Sequence, residues 1–209
     1  MREHPLNGDM NWVIPGKILA LAGPTEEIYE IEEFNAYALR HNITAVVRLN
    51  KSHYDRDVLL QSGIQHYEMF MPDGGIPAWD QIEEFFKIAD DIWKAKGAIA
   101  VHCRAGLGRT GTMIATFLIR KFGLQAGHVI AYLRMMRPGS VLSRQARFLD
   151  RYHLCIPHDI LEFCSIQYSL RGEQSPDSCL DYLKQFYPDK YHEILVFDCS
   201  GSENSFSDQ

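Results

Sequence analysis

The sequence predicts an α/β fold, a central and mostly parallel sheet flanked by helices, on three observations. Short apolar, β-branched runs alternate with longer segments of helical periodicity, the order that parallel pairing produces. Residues 98–122 pass directly from a buried strand, through a loop containing Gly106 and Gly108, into a helix. Hydrophobic residues at 46% and charged residues at 23% of the 209 belong to a folded chain with a sizeable core.

In chain order, Trp12 to Leu21 reads as two short strands broken by the turn dipeptide Pro15-Gly16. Thr25 is expected to cap a helix, with Glu26 and Glu27 in its first turn, where carboxylates meet the positive end of the dipole. Ile28, Ile31, Phe34 and Ala38 continue that helix to Asn42, and Glu30, Glu32 and Glu33 form its solvated face. Ile43 to Leu49 is apolar and β-branched enough for a central strand. Asp55 to Gly63 predicts a short helix, and Ile64 to Met71 a long alternating strand. Trp79, Ile82, Phe85, Phe86, Ala89, Ile92 and Trp93 mark an amphipathic helix that ends by Gly97, its aromatic stripe directed into the core. From Met113 the pattern is helical again, with Met113, Phe117 and Phe122 on one side and Gly123 as the stop. Gln125 to Met136 forms a further helix, stopped by Pro138-Gly139, and Ser143 caps a last one through Arg147 and Phe148 to Tyr152.

Between the strand at residues 98–103 and the helix behind it lies Cys103-Arg104-Ala105-Gly106-Leu107-Gly108-Arg109. A loop of this length opening onto a helix can curl until its backbone N–H groups converge on one point. Gly106 and Gly108 allow the tight turns, and the helix N-terminus adds positive potential. Such a cradle, built by Arg104, Ala105, Gly106, Leu107 and Gly108, fits a phosphate, and the planar fork of Arg109 matches two of its oxygens. Facing those dipoles and that arginine, Cys103 is held as a thiolate nucleophile, where most cytosolic cysteines are merely small buried hydrophobes. Thr110 can place a hydroxyl near the sulfur and ease its later departure.

The string H-C-R-A-G-L-G-R-T-G-T, residues 102–112, resembles the signature loop of cysteine-dependent dual-specificity protein phosphatases. N-W-V-I-P-G-K-I-L-A near the start, T-A-V-V-R-L-N in the middle and M-R-P-G-S-V-L after the loop narrow the likeness. Across residues 10–154 they resemble the catalytic domain of the mitotic-exit dual-specificity phosphatases, the cell-division-cycle-fourteen family. Small atypical dual-specificity phosphatases share the same opening and loop. The resemblance implies a protein-tyrosine-phosphatase-like fold and a cell-cycle protein phosphatase. Its substrates would be phosphoserine, phosphothreonine and phosphotyrosine in proteins, proline-directed sites among them. The reaction would pass through a cysteinyl phosphate, without metal or other cofactor.

Met71-Pro72-Asp73-Gly74-Gly75 resembles the movable acid loop of the same enzymes, with methionine where tyrosine-specific members carry tryptophan. On that likeness Asp73 protonates the departing oxygen, a task worth about 10²–10⁴-fold in rate; an Asp-Gly pair alone would read as an ordinary turn. Gln145, in Ser143-Arg144-Gln145-Ala146-Arg147, matches one glutamine of the stretch that positions the hydrolytic water in that family. Ala146 and Arg147 depart from the family's pattern, and plain helix-surface polarity is the competing reading of Gln145. His102 is assigned to orient the loop through hydrogen bonds rather than to act as a base. The family usually carries a noncatalytic domain ahead of the catalytic one, the two together forming an acidic substrate groove. The residues before Asn11 are too few for such a domain, so that groove is expected to be missing and the preference for phosphoserine-proline weakened.

Two other readings use the same loop. A phosphoinositide or RNA 5′-phosphate phosphatase shares the cysteine chemistry, but lipid enzymes tend to carry extra lysines there, whereas here only Arg104 adds charge and Leu107 is neutral. A noncatalytic phosphate-binding module would be expected to have lost Cys103 or Asp73, and both are present. The net charge of −6 argues against nucleic acid as a partner and favours phosphorylated proteins with basic flanks. Five cysteines without regular spacing suggest neither a disulfide framework nor a metal site. No leading apolar segment or membrane-length run is present, which places the chain in the cytoplasm, the nucleus or both. Residues 1–154 are expected to form the catalytic domain and 155–199 a partly helical extension, with helices at Ile160–Leu170 and Ser178–Phe186. The serine-rich residues 200–209 are expected to form a disordered tail.

Overall fold

Five strands, β1 (Met10–Ile14), β2 (Ile18–Ala22), β3 (Ile43–Arg48), β4 (Gln65–Glu68) and β5 (Ala98–Cys103), join in one sheet in the order β1-β2-β5-β3-β4. The computed structural model describes residues 9–25 and 28–155; the expected extension beyond Cys155 and the tail lie outside the described residues. Only β1 runs antiparallel, because Gly16, at φ +68°, turns the chain straight back into β2. The remaining pairs are parallel and need crossover helices. This is the mostly parallel sheet the sequence predicts.

The strand period of two sorts β5 between the two faces of the sheet. Ala98 and Ala100 pack with Leu19, Leu21 and Val46 against Ile31, Phe34 and Ala38 of α1 (Ile31–Arg40) and Leu59 of α2 (Asp57–Gln61). By the same alternation His102 points to that side, while Ile99, Val101 and Cys103 point to the other. The other face carries α3 (Trp79–Lys94), α4 (Gly108–Phe122) and α5 (Ala126–Met136), with α4 between its neighbours. Each large apolar side chain fully buried here, such as Phe34, Phe85 or Phe117, contributes about 1.5–3 kcal/mol. Polar ties join α3 to α4: Arg120 to Glu83 at 2.6 Å, and Lys121 to Asp90, which also pairs with Lys94 within α3. The hydrogen bond from Lys121 holds the Asp90 carboxyl below the usual carboxylate range.

Several elements differ from the sequence reading. Helix α1 begins at Ile31, not after Thr25, because Thr25 and Tyr29 pair as an isolated antiparallel bridge ahead of it. The expected first turn at Glu26 and Glu27 lies outside the described residues. Strand β4 is shorter than Ile64 to Met71; beyond Glu68 the chain stays tied to the end of β3 by Met69 N to Arg48 O and Met71 N to Leu49 O. Helix α4 starts at Gly108 rather than Met113 and is buried on every side from Arg109 to Ile119, so no single stripe marks it; Phe122 is exposed. Two of its interior hydroxyls return to its own carbonyls, Thr112 to Gly108 and Thr116 to Met113, both at 2.7 Å. Trp79 is half exposed rather than core. The last helix, α6 (Ser143–Cys155), has Ser143 inside its first turn. Gln145, not Ser143, supplies the capping acceptor, for the N–H of Leu142 at 2.9 Å.

Candidate active site

The loop Cys103–Arg109 leaves the C-terminal end of the central strand and enters α4, and its shape is set from outside. Gly106 adopts φ +66°, and a Cβ there would lie 2.0 Å from the Leu21 carbonyl oxygen, so only glycine lets the loop lie against β2. The N–H of Gly23 donates to the carbonyls of Cys103 at 3.0 Å and Arg104 at 3.1 Å. Arg137, 2% exposed, takes the next two: its Nη2 donates to Ala105 O at 2.8 Å and its Nε to Gly106 O at 2.7 Å. A trans peptide points its N–H opposite its C=O. With these four carbonyls pinned outward, the N–H groups of Arg104, Ala105, Gly106 and Leu107 turn inward. That is a nest for an anion at a helix N-terminus.

Cys103, 3% exposed, opens this nest as a free thiol. Thr110 is fully buried, and its Oγ1 has no hydrogen-bond partner, the sulfur included. Arg109 reaches out of the loop to the segment after β4: its Nη1 donates to Met71 O at 3.0 Å and its Nη2 meets Asp73 Oδ1 at 3.0 Å. The Asp73 side chain is otherwise 91% exposed. Gly74, at φ +66°, gives its N–H to the same Asp73 oxygen at 3.2 Å and turns the chain there. Gln145 is completely buried between the loops. Its Nε2 donates to Gly75 O at 2.9 Å while its Oε1 is committed to α6, and a Cβ on Gly108 would lie 3.0 Å from that oxygen. The structure thus brings Cys103, Arg109, Thr110, Asp73 and Gln145 to one end of the sheet. Arg104 is exposed on the rim, and Leu107 is half buried beside it.

His102 lies on the opposite face of β5 and closes a chain of hydrogen bonds whose proton positions follow from its ends. Its Nδ1 is 3.1 Å from Cys103 O, which can only accept, so Nδ1 carries the hydrogen. Burial holds the ring neutral, pushing its pKa down to about 3, so Nε2 is bare. Tyr54 O–H therefore donates to His102 Nε2 at 2.8 Å, and the same oxygen accepts from His66 Nε2–H at 2.8 Å. His66, lowered to about 4 by burial first and then by Arg48, keeps a buried Nδ1 without a partner. Burial pushes the Tyr54 pKa up, against the pull of Arg48, whose guanidinium stacks 4.8 Å over its ring. A neutral, ordered chain of three rings thus holds the first carbonyl of the loop.

The sequence reading missed Arg137, Tyr54, His66 and Gly23. Arg137 stands in the string Arg-Pro-Gly-Ser, which reads as a helix stop and as part of a motif of the resemblance, neither of which gives the arginine a role. Its further partners, Asp9 at 2.8 Å and Asn11 at 2.6 Å, come from the other end of the domain. Among the described residues, no three His, Cys, Asp or Glu side chains gather as a metal site. No described helix is long and apolar enough to cross a membrane.

Residues 23–123 match the family model described as a polymorphic toxin system DSP-PTPase phosphatase. The dual specificity protein phosphatase CDC14B of Mus musculus is 42% identical over 155 residues, 70% of this chain and 31% of that protein. CDC14A of Homo sapiens is 40% identical over 156 residues, 71% of this chain and 26% of its own length. Among solved structures, PTPMT1 superposes with a TM-score of 0.64 at 18% identity, covering 73% of this chain and 99% of that one. The chain spans less than a third of the length of these two curated relatives.

Proposed function

We propose that the described domain is a dual-specificity phosphatase domain, on its similarity to the catalytic region of the CDC14 phosphatases, and that this chain dephosphorylates serine, threonine and tyrosine in proteins through a cysteinyl phosphate. One observation carries the reading: the Arg109 guanidinium joins the anion nest of Cys103 to the Asp73 carboxylate, although the two lie on separate loops. The Cys103 sulfur forms a bond to phosphorus as the bond from phosphorus to the side-chain oxygen breaks. Arg109 and the inward N–H groups hold the phosphoryl oxygens, and Asp73 gives its proton to the departing oxygen. A water then passes its proton to Asp73 and forms a new P–O bond as the S–P bond breaks. Inorganic phosphate and the thiolate result.

The remaining residues fit this sequence. The partnerless Thr110 hydroxyl, buried beside the loop, supplies a donor for the sulfur as it leaves. Gln145 uses one Nε2 hydrogen on Gly75, and the second is left to orient the water. His102 has no exchangeable role in these steps; it holds the Cys103 carbonyl.

The test is Cys103→Ser, assayed on phosphoserine-proline, phosphothreonine and phosphotyrosine peptides beside a phosphoinositide. Turnover should vanish while phosphopeptide binding persists, because the nest and Arg109 remain. The wild-type protein should keep its activity in EDTA. Activity lost with the chelator and restored by a divalent metal, or a phosphoinositide turned over faster than every peptide, would overturn the reading.

A further inference from the structure

We propose that Gln81 is a positioning residue for the acid loop, its carboxamide tying together the two ends of the segment that carries Asp73. Gln81 lies in the first turn of α3, beyond the loop. Its Oε1 accepts the N–H of Ala78 at 3.0 Å, and its Nε2 donates to the carbonyl of Phe70 at 2.9 Å. Residues 71–77, with Asp73 among them, are strung between those two bonds.

Met71 and Pro77 are buried at the two ends of this segment, and the Met71 N–H is fixed to Leu49 O, but packing does not hold what lies between them. Phe70 is 50% exposed and Ile76 38% exposed, and Pro72 has no N–H to give to a ladder. The other side-chain ties are Arg109 to Met71 and Asp73, and Gln145 to Gly75. Both ties belong to groups that the reaction itself employs: a phosphate claims the Arg109 fork, and the hydrolytic water claims Gln145. Gln81 touches neither phosphate nor water, so its two bonds can stay closed while the others exchange partners. It keeps the neck of the loop shut at the moment Asp73 must leave Arg109 and meet the leaving oxygen.

The competing role for Gln81 is a plain helix cap, since a side chain at this position commonly accepts the capping N–H. Two substitutions separate the roles. Gln81→Glu keeps the acceptor for Ala78 but loses the donor and sets a carboxylate against the Phe70 carbonyl. Gln81→Lys keeps a donor for Phe70 and loses the cap.

The proposal rests on Asp73 as the acid, so Asp73→Ala runs beside them. The readout is single-turnover phosphorylation of Cys103 in the full chain, by a phosphoserine peptide and by 4-nitrophenyl phosphate, whose leaving oxygen hardly needs a proton. Asp73→Ala should lose about 10²–10⁴-fold on the peptide and much less on the aryl phosphate. Gln81→Glu should lose about 10–10²-fold on the peptide, with the aryl phosphate within about 3-fold of wild type. Gln81→Lys should stay within about 3-fold on both, even where its melting temperature falls. If Gln81→Glu matches wild type on the peptide, or slows both substrates alike, the amide is only a cap. A Gln81→Lys variant slower on the peptide than Gln81→Glu also overturns the proposal. Equal losses for Asp73→Ala on both substrates would remove the acid itself and the tie with it. A contrast for Asp73→Ala without one for Gln81→Glu removes the tie alone.

Discussion

A buried guanidinium is costly to desolvate, and Arg137 shows what offsets that cost. Its N–H groups meet two loop carbonyls, the Asp9 carboxylate and the Asn11 side-chain oxygen, so the charge is paired and hydrogen-bonded. Arg137→Met would leave Ala105 O and Gly106 O without their donors and Asp9 without its partner. Urea unfolding should show a loss of about 3–5 kcal/mol. Inorganic phosphate should also bind the folded fraction more weakly, because the inward N–H groups lose their support. Arg137→Lys would keep the charge but cannot reach both carbonyls with one planar fork, so it should recover only part of either effect. Wild-type stability in Arg137→Met would mean that the loop holds its own shape.

At the scale of the elements, the site depends on how closely β2, β5 and the loop approach one another. Gly106 and Gly74 share φ +66° but differ in surroundings: an alanine Cβ meets Leu21 O at 2.0 Å in the first and nothing within 4 Å in the second. Backbone strain alone costs about 1–2 kcal/mol at either position. Gly106→Ala must in addition push the phosphate loop off β2. Its kcat/KM should fall by about 10²-fold or more on every substrate, the aryl phosphate included. Gly74→Ala should be folded and affected mainly on substrates that need the acid. Similar kinetics for the two variants would show that the contact with Leu21 does not shape the loop.

The molecule as a whole carries a pH signature from the rings beneath the loop. His102 and His66 are neutral in the fold, with values pushed from 6.5 down to about 3 and about 4 by burial. In the unfolded chain both take up protons near the ordinary value, so below pH 6.5 the unfolded state binds more protons than the native one. The stability they contribute is complete above that value. It is lost progressively as pH falls from 6.5 through about 4 and about 3. Glu68, Arg48, Arg56 and His53 face the same cluster and set its remaining field. Urea midpoints should therefore drop on acidification, and His66→Gln should make that drop shallower by one proton's worth of slope. An unchanged slope in His66→Gln would place the acid sensitivity elsewhere.

The sequence alone determined what is contiguous. The strand, the loop with Gly106 and Gly108, and the arginine at the mouth of α4 follow one another in the chain. Their chemistry rests on backbone turns and a helix terminus that local residue types specify. The alternation of strands and helices was legible for the same reason, since periodicity is a local property. Thr25, Trp79 and Ser143 mislead because capping strength and aromatic size are weak preferences that tertiary contacts override. Thr25 is spent on an isolated bridge with Tyr29, the Trp79 ring lies half in solvent beside Tyr152, and Gln145 reaches the capping N–H first. Only the tertiary structure decided that β5 sits between β2 and β3, that Arg137 props the loop, and that Tyr54 links two imidazoles to the Cys103 carbonyl. It alone decided that Asp73 meets Arg109 and that Gln81 spans the acid loop. A buried charge such as Arg137 is costly unless partners complete it, and its partners here come from distant parts of the chain, chosen by the packing of the sheet rather than by neighbours in sequence.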